Sequence, residues 1–294
     1  MREITLDRRD YEAFAPETYR QAVRGIIRRN GLYLLIAGKY GDWKFPGGGM
    51  EPGETQPDTL LREVKEETGY EAAPETVRPF LTVHERRAGL KGDILVMDSY
   101  YYFCEITGEH GDRDLDDYEQ DYEYQVHWCA LETAVQAMEA VTDTEPVPWL
   151  ARESHVMKML IEHEIWQEMY TAAKAVLNPR KVSGYVTCGE VAAAVRSGSG
   201  RIYTGVCVDT CSSLGICAER AAIFAMLTAG EQEIDKVLAI MPDGSAGTPC
   251  GACRELMVQL CPDTCRDIEI MTDMETGRTV KLGEITPEWW IRTD

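Results

Sequence analysis

The sequence predicts an α/β protein with two domains. Its 294 residues are about twice the ~150 expected for a single domain. Hydrophobic residues make up 44% of the chain and charged residues 27%, as in ordinary folded proteins. In both halves, apolar runs bounded by turn residues alternate with helical patterns, which is typical of layered α/β domains.

Turn signals and apolar periodicity place the elements of the first half. The apolar runs 22–27 and 32–37 flank Asn30-Gly31, a dipeptide typical of β-hairpins. A glycine-rich turn then leads into a helix predicted from Gln56 to Thr68, which Gly69 ends. The elements predicted after it are strands at 80–86, 94–106 and 124–130, a helix at 131–140, and a long helix that begins at Pro146–Pro148 and ends before Asn178-Pro179.

The second half continues the alternation of strands and helices. We place the domain boundary inside the long helix, near His163, which gives domains 1–163 and 164–294. The elements predicted beyond the helix are strands at 190–196 and 202–208, a helix at 217–229, a strand at 236–241, a helix at 250–261 and a strand at 267–272. Short crossovers between them favour a layered α/β domain.

Charge and hydropathy exclude several classes of protein. The chain has 30 basic and 50 acidic residues, a net charge of −20, so we expect neither a nucleic-acid polymer nor an anionic membrane as a partner. No run approaches the ~18 uncharged apolar residues of a membrane helix. The first residues lack an apolar signal core, so we expect a cytoplasmic protein whose cysteines are thiols or metal ligands.

Three carboxylates share one face of the predicted helix 56–68. Glu63, Glu66 and Glu67 stand at i, i+3 and i+4, where like charges repel. A hard divalent cation, Mg²⁺ or Mn²⁺, would collect their oxygens, and Arg62 would hold one carboxylate in a bidentate pair. The alternative is an exposed acidic helix face without a ligand.

A longer pattern surrounds these carboxylates. The spacing Gly-x5-Glu-x7-Arg-Glu-Val-x-Glu-Glu-x-Gly from Gly48 to Gly69 resembles the signature of the Nudix hydrolases. The resemblance implies an α/β/α sandwich with a mixed sheet and a metal-dependent attack of water on a diphosphate. By the same resemblance, the metal ligands are Glu63, Glu66, Glu67 and the carbonyl of Gly48, Glu66 and Arg62 are catalytic, and Glu54 is a supporting residue.

The sequence downstream of this signature leaves two questions open. Arg86 and Arg87 are either phosphate ligands or ordinary surface charges. The acidic run from Glu105 to Glu123 favours a solvated loop over a metal-binding role for one of its carboxylates. No marker identifies the group attached to the diphosphate.

Cysteines replace histidines as possible metal ligands in the second half. Only two of the ten cysteines precede residue 181, and no histidine follows His163. Cys217 opens a predicted helix and Cys250-x-x-Cys253 opens the next, so three thiolates can meet on one Zn²⁺. Three protein ligands leave the fourth position to water, which is the catalytic pattern, and Glu219 can then move protons. The cations that would offset the thiolate charge are Arg220 and Arg254.

This arrangement resembles the signature of the cytidine deaminase superfamily, in its three-cysteine form. The resemblance implies a three-layer α/β/α domain, hydrolytic deamination of a cytosine nucleoside, and a homo-oligomer, tetramer or dimer, formed through this domain. Substrate-binding positions would be Cys207, Asp209 and Ala218. Cytidine deaminases carry Asn-x-Glu where this chain has Cys207-Val208-Asp209, so a modified cytosine nucleoside, as for blasticidin S deaminase, is a second hypothesis.

Together the two motifs predict a bifunctional hydrolase. The first activity is a Mg²⁺-dependent pyrophosphohydrolase acting on a nucleoside diphosphate derivative. The second is a zinc-dependent deaminase of cytidine or a related nucleoside. The partners are small nucleotides and nucleosides. In an alternative hypothesis only one domain is catalytic, and the other is a regulatory module that binds a ligand. The deaminase half is the stronger candidate for that module.

Overall fold

A computed structural model describes residues 2–89, 91–108 and 110–289 of the chain. The chain forms two compact units, Met1–Ile161 and Glu162–Asp294, and the division falls inside one long helix. Each unit has its own sheet structure and its own apolar clusters.

Within the described residues the first unit contains ten strands and, counting the first part of the long helix, four α-helices. Its strands are β1 (Arg2–Asp7), β2 (Glu17–Ile26), β3 (Arg28–Arg29), β4 (Leu32–Ala37), β5 (Trp43–Lys44), β6 (Glu71–Ala72), β7 (Arg78–Ala88), β8 (Ile94–Phe103), β9 (Ile106–Thr107) and β10 (Gln125–Cys129). Its helices are α1 (Gln56–Thr68), α2 (Asp117–Asp121), α3 (Leu131–Glu139) and the first part of α4 (Leu150–Val176).

The strands of the first unit form a mixed sheet and a smaller antiparallel one. The first has the order β1-β7-β8-β2, in which β1 is parallel to β7 and β2 is parallel to β8. The second has the order β10-β4-β3, and β5 also pairs with β4. The short strands β6 and β9 pair with each other.

Helices cover the strands of the first unit on two sides. Leu34 packs with Leu60 and Val64 of α1, whereas its neighbour Leu35 packs with the side chains of α3 and α4. This alternation along β4 is the period of two of a strand buried on both faces. The unit is therefore an α/β/α sandwich.

Helix α1 has the bounds predicted from its capping residues. Thr55 and Asp58 form a capping box at its N-terminus, and Gly69 ends it with φ of 72°, in the left-handed region that glycine adopts without strain. The helix buries its apolar side against the strands, and it buries Glu63 and Glu67 as well. Burial of two carboxylates on the packed side of a helix requires partners for both.

The second unit is a sheet covered by helices. Beyond α4 its strands are β11 (Arg180–Lys181), β12 (Val186–Ser197), β13 (Ile202–Thr210), β14 (Ile234–Ile240), β15 (Ala246–Gly247), β16 (Glu269–Asp273) and β17 (Arg278–Lys281). Its helices are α5 (Ala218–Thr228), α6 (Gly251–Leu260) and α7 (Leu282–Ile285). The sheet has the order β11-β12-β14-β16-β17, with β13 paired to β12 and β15 paired to β14.

Apolar side chains divide this sheet into two faces. Ala193 and Val195 of β12 pack against α5 and α6, whereas Ala192 and Ala194 pack with Trp166 of α4. The second unit is therefore also a three-layer α/β/α structure, and the predicted α/β class is confirmed for both units.

The structure corrects two details of the sequence prediction. The strand predicted at 94–106 ends at Phe103, and a separate strand, β9, follows it. The acidic run predicted as a solvated loop contains the short helix α2, with Glu119 buried. Strands β1 and β17 had not been predicted, because they lie at sheet edges and their patterns are weak.

Among the helices within the described ranges, none has both the length and the apolar character required to cross a bilayer.

Candidate active sites

One guanidinium organises the carboxylates of α1. The Arg62 Nε and Nη2 atoms donate to the two oxygens of Glu54 at 2.7 and 2.9 Å. Its Nη1 donates to Glu63 Oε1 and Glu66 Oε2, both at 2.9 Å. The hydrogen bonds from Arg62 lower the pKa of Glu54 to about 2. A single cation therefore fixes three carboxylates that would otherwise repel one another.

Glu67 lies inside the protein on a second cation. Its Oε1 accepts from Lys44 Nζ at 2.7 Å, and its Oε2 accepts from the backbone N–H of Gly47 at 2.6 Å. Burial, together with a smaller contribution from Glu119, raises the pKa of Glu67 to about 8 in spite of Lys44. The site therefore holds more negative charge than its own cations neutralise easily.

Glu119 is the acidic residue that the sequence prediction missed. It lies on α2 with 4% of its surface exposed, and its Oε1 is 4.0 Å from Lys44 Nζ. No sequence signal distinguishes Glu119 from the acidic residues around it. Only the return of α2 to the Lys44–Glu67 pair places this carboxylate at the site.

The donors around α1 fit a hard divalent cation. A Cβ on Gly48 would lie 2.5 Å from Glu63 Oε1, so only glycine lets the backbone reach this carboxylate. The Gly48 carbonyl accepts the N–H of Val23 at 2.9 Å. Within the described ranges Glu63, Glu66 and Glu67 do not form a set of ligand oxygens that all lie within 4.8 Å of one another; Arg62 binds Glu63 and Glu66, whereas Lys44 binds Glu67. Carboxylate and carbonyl oxygens remain the ligand type that Mg²⁺ prefers.

The three predicted cysteines converge in the second unit. The Sγ atoms of Cys217, Cys250 and Cys253 all lie within 4.8 Å of one another, with 3.4 Å between Cys217 and Cys250 and 3.6 Å between Cys250 and Cys253. Cys217 and Cys250 are the N-cap residues of α5 and α6, so the thiols face two helix N-termini, which favour thiolates. Burial raises the pKa of Cys253 strongly. Three sulfur donors brought together in this way fit Zn²⁺.

Residues next to the thiols have different roles. Glu219, in the first turn of α5, is 6% exposed, and its charge contributes to the raised pKa of Cys253. Arg220 Nη2 lies 3.9 Å from Cys217 Sγ, the position of a cation that offsets thiolate charge. Arg254 instead donates to the carbonyls of Pro249 and Ile285 at 2.8 and 2.9 Å, so it holds the loop before Cys250 rather than a sulfur atom.

Comparison with known proteins identifies both halves. The family model of the NUDIX domain matches residues 18–150, and that of the cytidine and deoxycytidylate deaminase zinc-binding region matches residues 166–266. The chain is 33% identical to CTP pyrophosphohydrolase of Escherichia coli (strain K12) over 40% of this chain and 79% of that protein. It is 30% identical to blasticidin-S deaminase of Bacillus cereus over 35% of this chain and 77% of that protein. The chain belongs to both families.

Both are families of enzymes, so the chain joins a Nudix hydrolase domain to a zinc-binding cytidine deaminase domain. Among solved structures, the cytidine deaminase of Mycobacterium leprae is 27% identical over 42% of this chain and 98% of that chain, with a TM-score of 0.35. The chain spans about half the length of some other curated relatives, 48% and 56% for two of them.

A cavity of about 360 Å³ opens beside the thiols of the deaminase domain. Ala218 and Glu219 of α5 line it, and so do Cys207 and Asp209 of β13. Cys207 Sγ accepts the N–H of Val191 at 3.2 Å and is therefore tied to the backbone of β12. Glu190, which the sequence prediction missed, also lines this cavity from the irregular part of β12.

A second cavity, of about 320 Å³, opens beside the Nudix signature. Gly47, Gly48 and Lys44 line it, and so do four arginines: Arg20, Arg24, Arg87 and Arg152. Of these, only Arg87 had been singled out in the sequence. Arg24 and Arg152 gave no sequence signal, because burial of an arginine depends on partners from distant strands.

Proposed function

We propose that the protein is a bifunctional hydrolase with one active site in each domain. The proposal is supported by the position of each candidate metal-ligand set, which lies at a cavity beside a group suited to its reaction. In the deaminase domain, Glu219 lies next to the thiols. In the Nudix domain, the acidic face of α1 lies next to a pocket lined by arginines.

The Nudix domain is proposed to hydrolyse a nucleoside diphosphate derivative such as a nucleoside triphosphate. Mg²⁺ or Mn²⁺, held by Glu63, Glu66 and Glu67, would neutralise and orient the diphosphate. Arg20, which lines the cavity together with Gly48, would bind phosphate oxygens. Water adds to one phosphorus and the bridging oxygen leaves with the other. The name of the related CTP pyrophosphohydrolase supports this substrate class.

The deaminase domain is proposed to convert a cytosine nucleoside into the uracil compound and ammonia. Zn²⁺, held by Cys217, Cys250 and Cys253, would supply the Lewis acid that activates water. Glu219 would accept a proton from that water and deliver it to the departing amino group, because it lies beside the thiols and lines the cavity. Arg220 would limit the negative charge of the sulfur ligands.

The side of the deaminase cavity formed by β12 and β13 is proposed to bind the sugar or a group that replaces it. Asp209 and Glu190 supply acceptors there, whereas Cys207 has its sulfur on a backbone N–H and makes a poor partner for a hydroxyl. This arrangement favours a modified cytosine nucleoside, and the similarity to blasticidin-S deaminase agrees with it. A purely regulatory deaminase domain is less favoured, because the thiols and Glu219 are all in position.

We further propose small nucleotides and nucleosides as the partners, a cytoplasmic location, and a homo-oligomer formed through the deaminase domain. These proposals rest on the two families, whose members act on compounds of this size, and on the excess of acidic residues.

The test is a mass-spectrometric screen of nucleoside triphosphates, nucleotide sugars and cytosine nucleosides with Mg²⁺ and Zn²⁺ present. Glu66→Gln should remove only phosphate-ester products, and Glu219→Ala should remove only ammonia and uracil products. Each variant is the control for the other domain. If both variants keep both activities, or if either variant loses both, the assignment of two separate active sites is wrong.

A further inference from the structure

Beneath the Nudix cavity lies a buried cluster in which cations outnumber anions. Glu153 Oε1 is 3.1 Å from both Arg24 Nε and Arg152 Nη2. Glu85 is 2.6 Å from Arg152 Nη1 and 3.5 Å from Arg87 Nε. Three buried guanidiniums therefore share two carboxylates. One positive charge of this cluster lacks a full counter-charge, and burial makes that deficit costly.

The deficit falls on Arg87. Arg24 and Arg152 each have an ion pair at 3.1 Å or less, whereas the nearest carboxylate oxygen to Arg87 is at 3.5 Å. Only 7% of Arg87 is exposed, and its Nη1 donates to the carbonyl of Ala88 at 2.9 Å. Its Nε is buried and has no hydrogen-bond partner within the described residues. Burial lowers the pKa of Arg87, as expected for a cation short of partners.

Two aromatic side chains give part of the cavity a surface that suits a flat ring. Trp149 and Tyr122 line it with their rings 5.4 Å apart, and Leu95 adds apolar surface next to Arg87 on the neighbouring strand. The indole N–H of Trp149 donates to the buried Asp42 at 3.1 Å, which fixes the orientation of the ring. A phosphate among these groups would lose its hydration, whereas a nucleobase gains stacking contacts.

The sheet separates Arg87 from the phosphate end of the cavity. The Gly48 carbonyl accepts the N–H of Val23 on β2, which is an edge strand of the sheet and packs against α1. Arg87 lies on β7, two strands away in the order β7-β8-β2, which is about 10 Å across the strands, and its partner Leu95 is about 16 Å along β8 from Tyr100, the partner of Val23. A nucleotide with its phosphates at Gly48 would therefore extend its base toward Arg87.

We propose that Arg87 determines base specificity by donating two hydrogen bonds to the O2 and N3 atoms of a cytosine base. This inference rests on the proposed Nudix function. A guanidinium is a planar fork of donors, and cytosine presents two neighbouring acceptors at O2 and N3. Uracil has an N–H at position 3 and adenine has an amino group beside its ring nitrogen, so each would oppose a donor to a donor.

Guanine offers a comparable pair of acceptors at O6 and N7. Cytosine is the base chosen here because the second domain of the same chain belongs to the cytidine deaminase family. The two domains would then accept compounds with the same base. The deaminase domain would act on its amino group at the thiols, and the Nudix domain would bind its O2–N3 edge at Arg87.

The test compares wild type, Arg87→Lys and the control Arg86→Lys. Arg86 is the neighbouring residue, on the opposite face of β7, where it pairs with Glu17 at 2.6 Å outside the cavity. We expect wild type to hydrolyse CTP with a kcat/KM at least about tenfold above that for UTP or ATP. In Arg87→Lys the kcat/KM for CTP should fall and most of the preference should be lost, since a single ammonium cannot form the paired contact. Arg86→Lys should retain the preference.

Binding of CMP and UMP, measured calorimetrically without divalent metal, gives a second readout that does not need hydrolysis. The CMP affinity should fall in Arg87→Lys and not in Arg86→Lys, and the unfolding temperatures of the two variants show whether both are folded. Equal rates for CTP and UTP in wild type, a preference for GTP, or equal CMP binding in the two variants would overturn the proposal. If wild type hydrolyses no nucleoside triphosphate but shows the Arg87-dependent CMP binding, the proposed function fails and the specificity role stands.

Discussion

The two metal-ligand sets of this protein are held together in opposite ways. In the deaminase domain three sulfur atoms lie within 4.8 Å of one another, with Arg220 at their edge. In the Nudix domain each carboxylate is instead bound to a cation of the protein, Arg62 or Lys44. The difference follows from charge. Each of these carboxylates has a protein cation within 2.9 Å, whereas the cation nearest to the thiols, Arg220, lies 3.9 Å from Cys217 Sγ.

The two sites differ in how far their partners lie apart in the sequence. The thiols come from the N-termini of two helices, α5 and α6. The carboxylates of α1 depend on Lys44 of β5 and lie beside Glu119 of α2, which are far apart in the sequence. We therefore expect the cysteine site to fail when a ligand is lost, and the carboxylate site to fail also when a partner is lost.

The largest effect is expected from loss of a sulfur ligand. Cys253→Ser should abolish stoichiometric zinc binding and lower ammonia release by at least about 100-fold, because serine is a poor zinc ligand. Cys211→Ser, at an exposed cysteine of the same domain, is the control and should keep its zinc. Metal analysis and an ammonia assay measure the two effects. Retention of zinc by Cys253→Ser would contradict the three-thiol site.

An intermediate effect is expected from loss of a cation at the carboxylate site. Lys44→Met leaves Glu67 and Glu119 buried without that ammonium group, so the free energy of unfolding should fall by about 3 kcal/mol, and added Mg²⁺ should recover part of it. Denaturant titration with and without Mg²⁺ measures this. Lys65→Met removes an exposed pair with Glu71 and should cost about 0.5 kcal/mol or less. Equal costs for the two variants would show that Lys44 does not balance a buried charge.

The smallest effect concerns the exposed side of the same site. Because Arg62 lowers the pKa of Glu54 to about 2, from an ordinary 4.5, the stabilisation from Glu54 is complete above pH 4.5 and is lost as the pH falls toward 2. The difference in unfolding temperature between wild type and Glu54→Gln should therefore be constant near neutral pH and shrink in acid. Glu51→Gln, at the neighbouring exposed carboxylate, is the control. A difference that persists unchanged to pH 2 would contradict the ion pair.

Local signals predicted much of the fold. Helix α1 has the predicted bounds because Thr55 and Gly69 terminate it through their own conformations. Edge strands such as β1 were missed because they are stabilised by pairing with β7 rather than by their own pattern. The cysteines were predicted to meet because each motif opens a helix, and they do meet.

The remainder of the sites depends on tertiary contacts. Glu119 looked like one more surface acid, and it is buried only because α2 returns to the Lys44–Glu67 pair. Arg87 was left open between phosphate ligand and surface charge, and its place on the inner face of β7 excludes an ordinary surface charge. A single sequence specifies these positions only through the complete fold.

We propose that two independent metal sites perform two reactions in one chain. The most direct test is to remove zinc from the intact protein with a zinc-selective chelator and to assay both reactions with Mg²⁺ in excess. Ammonia release from the cytosine nucleoside should be lost and should return when zinc is added back, while hydrolysis of the nucleoside triphosphate continues at its original rate. Loss of both activities together, or of neither, would contradict the account.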